Sequence, residues 1–567
     1  MKKLLRSRYI VLMLLLFVML FAVAACNNSE AANPADTVLK SNVIYTVASE
    51  EPISGAIAIA DNKIIAIGTL DEIEPYIAET TVVKDMGDQM IMPGFIDGHT
   101  HTRPSHTVVG VDLTGVNSLE KCADLVKSYI VDHPDKTFVM GGGWYAANWG
   151  GAEPNKKYLD AVAPNVPIAL KDMDGHTMWC NSKALDAAGI DNEYAAEFNK
   201  NNSGKLIAVD ENGEPTGYLK ENGADKVNAI WPEFSTEDLE TCINVWPTYG
   251  VTSVNAMSDE KANSDIYNQL EELNNSGRLM VRQFISIDPD ALEEDILAAK
   301  ERFNSDIIRL NALKLFMDGV GSTYTASMLT PYEGTNDKGP DPYYTAEQVK
   351  DYALKASKLG LAVHIHTCGD RAIREALDGY QMAKEAGVEL NNMFSLEHWD
   401  CTNPDDIPRA AELGISCNIT PDFLAPTANW GDNPYLKVYD DEVDLQMWRY
   451  GSLYKSGANV TFGTDFYWSS YNPMVQIYRA MERVTNDGKP VGGYEPEEKL
   501  TLKEALQCYT INGAKAIGMA DKLGTLEAGK YADIIVLDHN ILTASPEEIF
   551  NTKVVMTMMN GNVVYGE

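Results

Sequence analysis

Eight short apolar runs, separated by stretches long enough for a helix, divide the middle of this 567-residue chain and restrict what it can fold into. They are Phe95–His99, Val251–Ala256, Met280–Ile285, Asn311–Asp318, Leu361–His366, Met393–His398, Ile415–Ile419 and Asn459–Thr464. Strands alternating with helical stretches predict a parallel sheet covered by helices, and eight of them fit a (β/α)8 barrel, whose site lies at the strand exits. Two more strand-like runs, Thr137–Met140 and Pro167–Lys171, fall between the first and second barrel strands, in a connection too long for a simple crossover. Residues 115–235 are therefore read as an insertion over the barrel mouth.

The chain ends follow a different pattern. Asn42–Val47, Ala56–Ala60 and Lys63–Gly68, with the turn Asp61-Asn62, have hairpin character, and Ala532–Asp538, Lys553–Thr557 and Asn562–Tyr565, with the turn Asn560-Gly561, echo it. A chain of this length needs more than one core. Residues 37–93 and 510–567 are expected to form one small β-sandwich domain, leaving 94–509 for the barrel.

Lys2, Lys3, Arg6 and Arg8 precede the apolar run Tyr9–Phe21, and small residues lead to Val23-Ala24-Ala25-Cys26, the layout of a signal peptide. The last four residues resemble a bacterial lipobox. That resemblance implies cleavage before Cys26, lipid on its sulfur and a polar tether over residues 27–36. It places the protein at the cell envelope, on the outer face of the cytoplasmic membrane, or in the periplasm or at the outer membrane of a cell that has one. An uncleaved single-span anchor is the alternative, but the apolar run is short for a bilayer crossing. With 46 basic and 82 acidic residues the chain carries a net charge of −36, so nucleic acid, which requires a basic face, is not an expected partner. Its expected partner is a small molecule, with a homo-oligomer left open. Beyond Cys26, seven scattered cysteines without short paired spacings argue against a disulfide scaffold.

Chemistry concentrates at the strand exits. His99 and His101, two residues apart at the end of the first strand, would point the same way. Alone, such a pair suits a surface or a core as well as a metal. The fourth strand carries Lys314 in an apolar run, the fifth ends His364-Ile365-His366, the sixth Leu396-Glu397-His398 and the eighth Gly463-Thr464-Asp465. Five of the chain's nine histidines lie at such ends, where chance would scatter them.

These motifs, with Pro93-Gly94-Phe95-Ile96-Asp97-Gly98 before the first histidine, Asp174-Gly175-His176 through Leu185, Glu214–Gly217, His366–Ala372 and Gly524–Asp533, resemble the metal-dependent amidohydrolase superfamily. The nearest resemblance is to its YtcJ-like branch, which includes N-substituted formamide deformylases. The resemblance implies one or two divalent ions, most plausibly Zn2+. His99, His101 and Asp465 would hold one, His366 and His398 a second, and Lys314, carboxylated on its amine, would bridge them. A free ammonium cannot ligate a cation, whereas a carbamate oxygen can; a neutral or ion-paired Lys314 would leave a mononuclear site. His364 competes with His366 for the ligand role or orients it. Cys368 offers a sulfur, although zinc–thiolate sites usually bring more than one cysteine. His176 is a substrate contact from the insertion or a structural histidine, Asp318 a pocket residue or a loop-capping carboxylate, and Trp144 and Trp149 pocket lining or core. The resulting expectation is hydrolysis of a non-peptide C–N bond in an amide, formamide or cyclic amide, with Asp465 as ligand and proton shuttle. Lactone or ester hydrolysis on the same site, and a lipid-anchored binding protein without turnover, are the rival readings.

Overall fold

The computed structural model describes residues 34–149, 152–172, 177–202, 206–258, 260–261, 264–427, 429–439, 446–466 and 469–566. They form two compact units, one of residues 34–94 with 519–566 and one of 95–518.

In the larger unit eight parallel strands run in sequence order: β1 (Phe95–Thr100), β2 (Val251–Ala256), β3 (Arg282–Ile287), β4 (Ile308–Phe316), β5 (Ala362–Thr367), β6 (Ser395–His398), β7 (Ser416–Ile419) and β8 (Asn459–Phe462). Their residues are buried on both faces almost throughout, as expected of a parallel sheet covered by helices. The helix α1 (Asp370–Glu385) shows how the cover is made. Its buried Ile373, Ala376, Leu377, Tyr380 and Ala383 fall on one face, and the Tyr380 hydroxyl donates to the carbonyls of Val363 and Ser395, 2.8 and 3.2 Å away, on β5 and β6.

The seam between β1 and β8 closes at the exit end. The Asp465 amide donates to the His99 carbonyl at 2.7 Å, and the His101 amide to the Phe466 carbonyl at 3.2 Å. Asp97 clamps the same seam, accepting from the Thr464 amide at 3.0 Å, the Thr464 hydroxyl at 2.6 Å and the His99 amide at 3.2 Å. The approach leaves no room for side chains at two glycines. A Cβ on Gly463 would lie 2.6 Å from both the backbone nitrogen and the Cβ of His99, and one on Gly98 would lie 2.6 Å from Asn418 Nδ2.

Several strand limits differ from the sequence reading, among them those of β1 and β4. β1, expected over Phe95–His99, continues to Thr100, leaving His101 as the first ligand candidate past the strand. β4 starts at Ile308, because Ile308 and Leu310 are buried in register with Gln283 and Ile285 while Arg309 turns to Asp306.

Between β1 and β2 the chain builds a separate six-stranded sheet, in the order 207–209, 215–220, 177–180, 168–172, 139–144, 111–112. The expected run Thr137–Met140 is really Val139–Trp144, continuing through Gly141-Gly142-Gly143. The three glycines let strands pack: a Cβ on Gly141 would meet the Val111 carbonyl at 2.6 Å.

The smaller unit holds one sheet from both chain ends, in the order 562–566, 554–559, 534–537, 90–93, 37–44, 53–60, 63–68, with 82–85 beside 37–40. Its first strand is Thr37–Ile44 rather than Asn42–Val47, since Val47 has a φ of 63° and cannot extend it. Cys122, Cys180, Cys242, Cys368, Cys401, Cys417 and Cys508 are buried and free. Among the described residues no helix is long and apolar enough to cross a membrane.

Candidate metal centre

The closed seam makes neighbours of residues far apart in sequence. His99 Nε2 lies 3.3 Å and His101 Nε2 3.0 Å from Asp465 Oδ1, and His398 Nδ1 lies 3.9 Å from Asp465 Oδ2. Despite these approaches, Asp465 Oδ1 and His398 Nδ1 are buried without a hydrogen bond. Such atoms are costly unless something else satisfies them. Two ligand atoms each about 2.0–2.1 Å from a tetrahedral ion stand about 3.3 Å apart, the spacing found here. The donor set therefore fits a divalent ion.

The backbone is bent to present these groups. His398, Trp399 and Asp465 have φ values of 78°, 54° and 45°, left-handed conformations that cost non-glycine residues about 1–3 kcal/mol each and cluster at functional sites. Surrounding packing holds them there, including the Trp399 indole, which is fully buried and donates to the Leu396 carbonyl at 2.9 Å.

Charges are set for metal binding. Burial pushes the Asp465 carboxyl up, but the imidazoles of His99 and His101 together hold it well below the usual carboxylate range. Burial, helped by the Lys314 charge, lowers His366 to about 4, and burial also drives His398 well below the ordinary histidine value. Both are thus neutral imidazoles near pH 7, the form that binds metal. For His99 burial is opposed by Asp465 and Glu397, and its net shift is upward.

Glu397 carries no role in the sequence reading. It is fully buried, accepts from His99 Nδ1 at 2.7 Å and from the Ser395 hydroxyl, and thereby aims His99 Nε2 at Asp465. Its signal was a carboxylate beside a ligand candidate inside an apolar strand. Asp97, the seam clamp, was likewise quoted only as part of a motif.

The remaining candidates fall as follows. Lys314 is buried in β4, in register with His364, and its charge acts on His99, His364, His366, His398 and Glu397, so the amine sits amid the histidines. His364 Nε2 lies 3.2 Å from the Met393 carbonyl, a backbone contact rather than a bond to His366. The His366 and His398 rings are 4.4 Å apart, but His366 Nε2 lies 3.1 Å from the Gly319 carbonyl and 3.5 Å from Cys368 Sγ. Asp318 gives both oxygens to the amides of Ser327, Cys368 and Gly369, at 2.9, 3.0 and 2.8 Å, which makes it a loop pin. Burial raises its carboxyl to about 7. Trp144 is core: it is buried, its indole donates to the Leu170 carbonyl at 2.8 Å, and it stacks on Trp149. His176 and Cys26 lie outside the described residues.

A profile of the amidohydrolase family matches residues 82–565. The chain belongs to that family and is a hydrolase acting on carbon–nitrogen bonds. It is similar to Protein LONG AFTER FAR-RED 3 of Arabidopsis thaliana, 26% identical over 545 residues, which are 94% of this chain and 92% of that protein. It is equally similar to an N-substituted formamide deformylase of Arthrobacter pascens, 26% identical over 550 residues, 93% of this chain and 98% of the relative. A solved structure of an uncharacterised metal-dependent hydrolase from Pyrococcus horikoshii shares the fold, with a TM-score of 0.71 at 24% identity over 90% of this chain and 99% of its own. Among the described residues two groups could hold a metal: His99, His398 and Asp465, and Asp318, His366 and Cys368.

Proposed function

We propose that this protein hydrolyses a non-peptide C–N bond in a small amide, formamide or cyclic amide, using one or two divalent ions, with Zn2+ the favoured metal. The observation that carries the reading is the convergence of His99, His101 and Asp465 at the seam, with Asp465 Oδ1 buried and free of hydrogen bonds.

In this reading His99, His101 and Asp465 would hold the first ion, His366 and His398 would hold a second, and Lys314, as a carbamate, would supply oxygen donors between them. Bound there, a divalent ion supplies a hydroxide nucleophile near neutral pH and polarises the substrate carbonyl. Asp465 takes the proton from the attacking water and hands it to the leaving nitrogen. Its ionised state, held by two imidazoles, is the state a proton acceptor needs. Glu397 keeps His99 in one tautomer, and His176 and Asp318 are the substrate-side candidates, Asp318 acting through the loop it pins. The similarity to a formamide deformylase supports a formamide as the first substrate to try.

The reading includes address and architecture. Cys26 carries lipid and anchors the chain at the cell envelope through the tether of residues 27–36, and the unit built from both chain ends is a β-sandwich.

The test is a chelated and remetallated protein assayed against formamides, N-acyl amino acids, hydantoins and lactones, with Asp465→Asn alongside. Amide or formamide turnover that returns with metal is expected. Asp465→Asn should lose roughly 10²- to 10⁴-fold while keeping most of its metal. Turnover of lactones alone, or near-normal activity in Asp465→Asn, would overturn the reading.

A further inference from the structure

His366 faces two ways. Its ring lies against His398, but its Nε2 is aimed at a group on the loops after β4 and β5. Four donors surround that point: His366 Nε2, Cys368 Sγ at 3.5 Å from it, the Gly319 carbonyl at 3.1 Å and Asp318 Oδ1 at 3.8 Å. Asp318 and Cys368 are almost completely buried.

These spacings can be set against those of a coordinated ion. With Zn–S near 2.3 Å and Zn–N near 2.0–2.1 Å, tetrahedral geometry separates nitrogen and sulfur by about 3.5 Å, and nitrogen and oxygen by about 3.3 Å. Cys368 and Gly319 are already at such distances, and Asp318 is about half an ångström long. A soft sulfur in the set favours thiophilic ions over Mg2+ or Mn2+.

We infer that Cys368, with His366, Asp318 and the Gly319 carbonyl, forms a thiolate-containing ion position adjoining the His99–His101–Asp465 centre. The inference rests on the proposed metal centre and deepens it by naming the donor that sets metal preference at His366. Ion entry releases the Cys368 thiol proton to solvent, and the single proton of the neutral His366 ring moves from Nε2 to Nδ1. An ion held there occupies the His366 imidazole through Nε2, so this position and the proposed His366–His398–Lys314 position are alternatives for the same ring.

Cobalt(II) reports the difference, because a cysteine ligand adds a sulfur-to-cobalt charge-transfer band in the near ultraviolet. The full-length apoprotein is titrated with Co2+ as wild type, Cys368→Ser, His366→Asn and Cys417→Ser, the last altering a buried cysteine of β7. The wild type and Cys417→Ser should develop the band. Cys368→Ser and His366→Asn should lack it and bind one ion fewer. If Cys368→Ser fails to fold, His366→Asn still decides, since its thiol is intact. Cobalt d–d bands in the wild type without the charge-transfer band would overturn the inference and leave the metal centre standing. A band that survives in Cys368→Ser would also overturn it. No cobalt binding at all would remove both.

Discussion

Replacing Glu397 by Gln tests whether this carboxylate tunes the metal ligand or merely fills space. Gln keeps the shape and an oxygen for His99 Nδ1, now at 2.7 Å from the carboxylate, but removes the charge. Hydrogen bonds to charged groups contribute about 1.5–3 kcal/mol against about 1 for neutral ones, so the change should remove about 0.5–2 kcal/mol. At about 1.4 kcal/mol per tenfold that is roughly a 2- to 30-fold loss of metal affinity, overlapping the lower part of the roughly 10- to 100-fold range usual for partners that orient a ligand. Ala should cost more. It strands both the His99 N–H and the Ser395 hydroxyl, at about 1–3 kcal/mol each. Competition against a chromophoric chelator measures affinity, and thermal unfolding of the apoprotein separates stability from binding. Gln binding metal within twofold of wild type, with Ala no worse than Gln, would refute the argument.

The other predictions need less development. Lys314→Ala should lose at least one of two ions, and bicarbonate should aid reconstitution of the wild type; a single ion in both proteins by elemental analysis would end the bridging role. Cys26→Ser should abolish lipid attachment, read by labelling with a fatty-acid probe, while chain lacking residues 1–26 stays as active as full length. Gly463→Ala should lower the melting temperature and metal content together, because the new Cβ would press on His99 at 2.6 Å, a clash of the kind that costs about 1–3 kcal/mol; an unchanged melt would show that the seam can yield.

The barrel was legible because each strand is a short apolar run between breakers, and β2, for example, begins and ends where Val251–Ala256 implied. Glycine was the weak point. Gly141–Gly143 fell past the end of the expected run Thr137–Met140, yet they lie inside a strand where neighbouring backbones come too close for a side chain. That closeness is a tertiary property and leaves no local mark. Buried charge misled for the same reason: Arg282 opens β3 fully buried, its guanidinium donating to the Asp306 carbonyl at 2.8 Å, where the sequence alone set the strand two residues earlier. At the site, the sequence placed His99, His101 and Asp465 at strand ends of the barrel, while their grouping as ligands of one ion was only what the family resemblance implied. Glu397 could not be assigned, since a carboxylate next to His398 gave no hint that it would face His99, 298 residues away.

The β1–β8 seam also sets the order in which this chain can mature. Asp97 and its partner Thr464 are 367 positions apart, which at roughly 5–20 residues per second is about 20 to 70 s of synthesis. Through that interval a nascent chain displays His99 and His101 with no Asp465 to complete the set. A ribosome stalled anywhere between them leaves an open sheet with an unpaired edge at both ends. In the proposed reading, an ion held by His99, His101 and Asp465 together therefore requires a chain that has been read past its eighth strand.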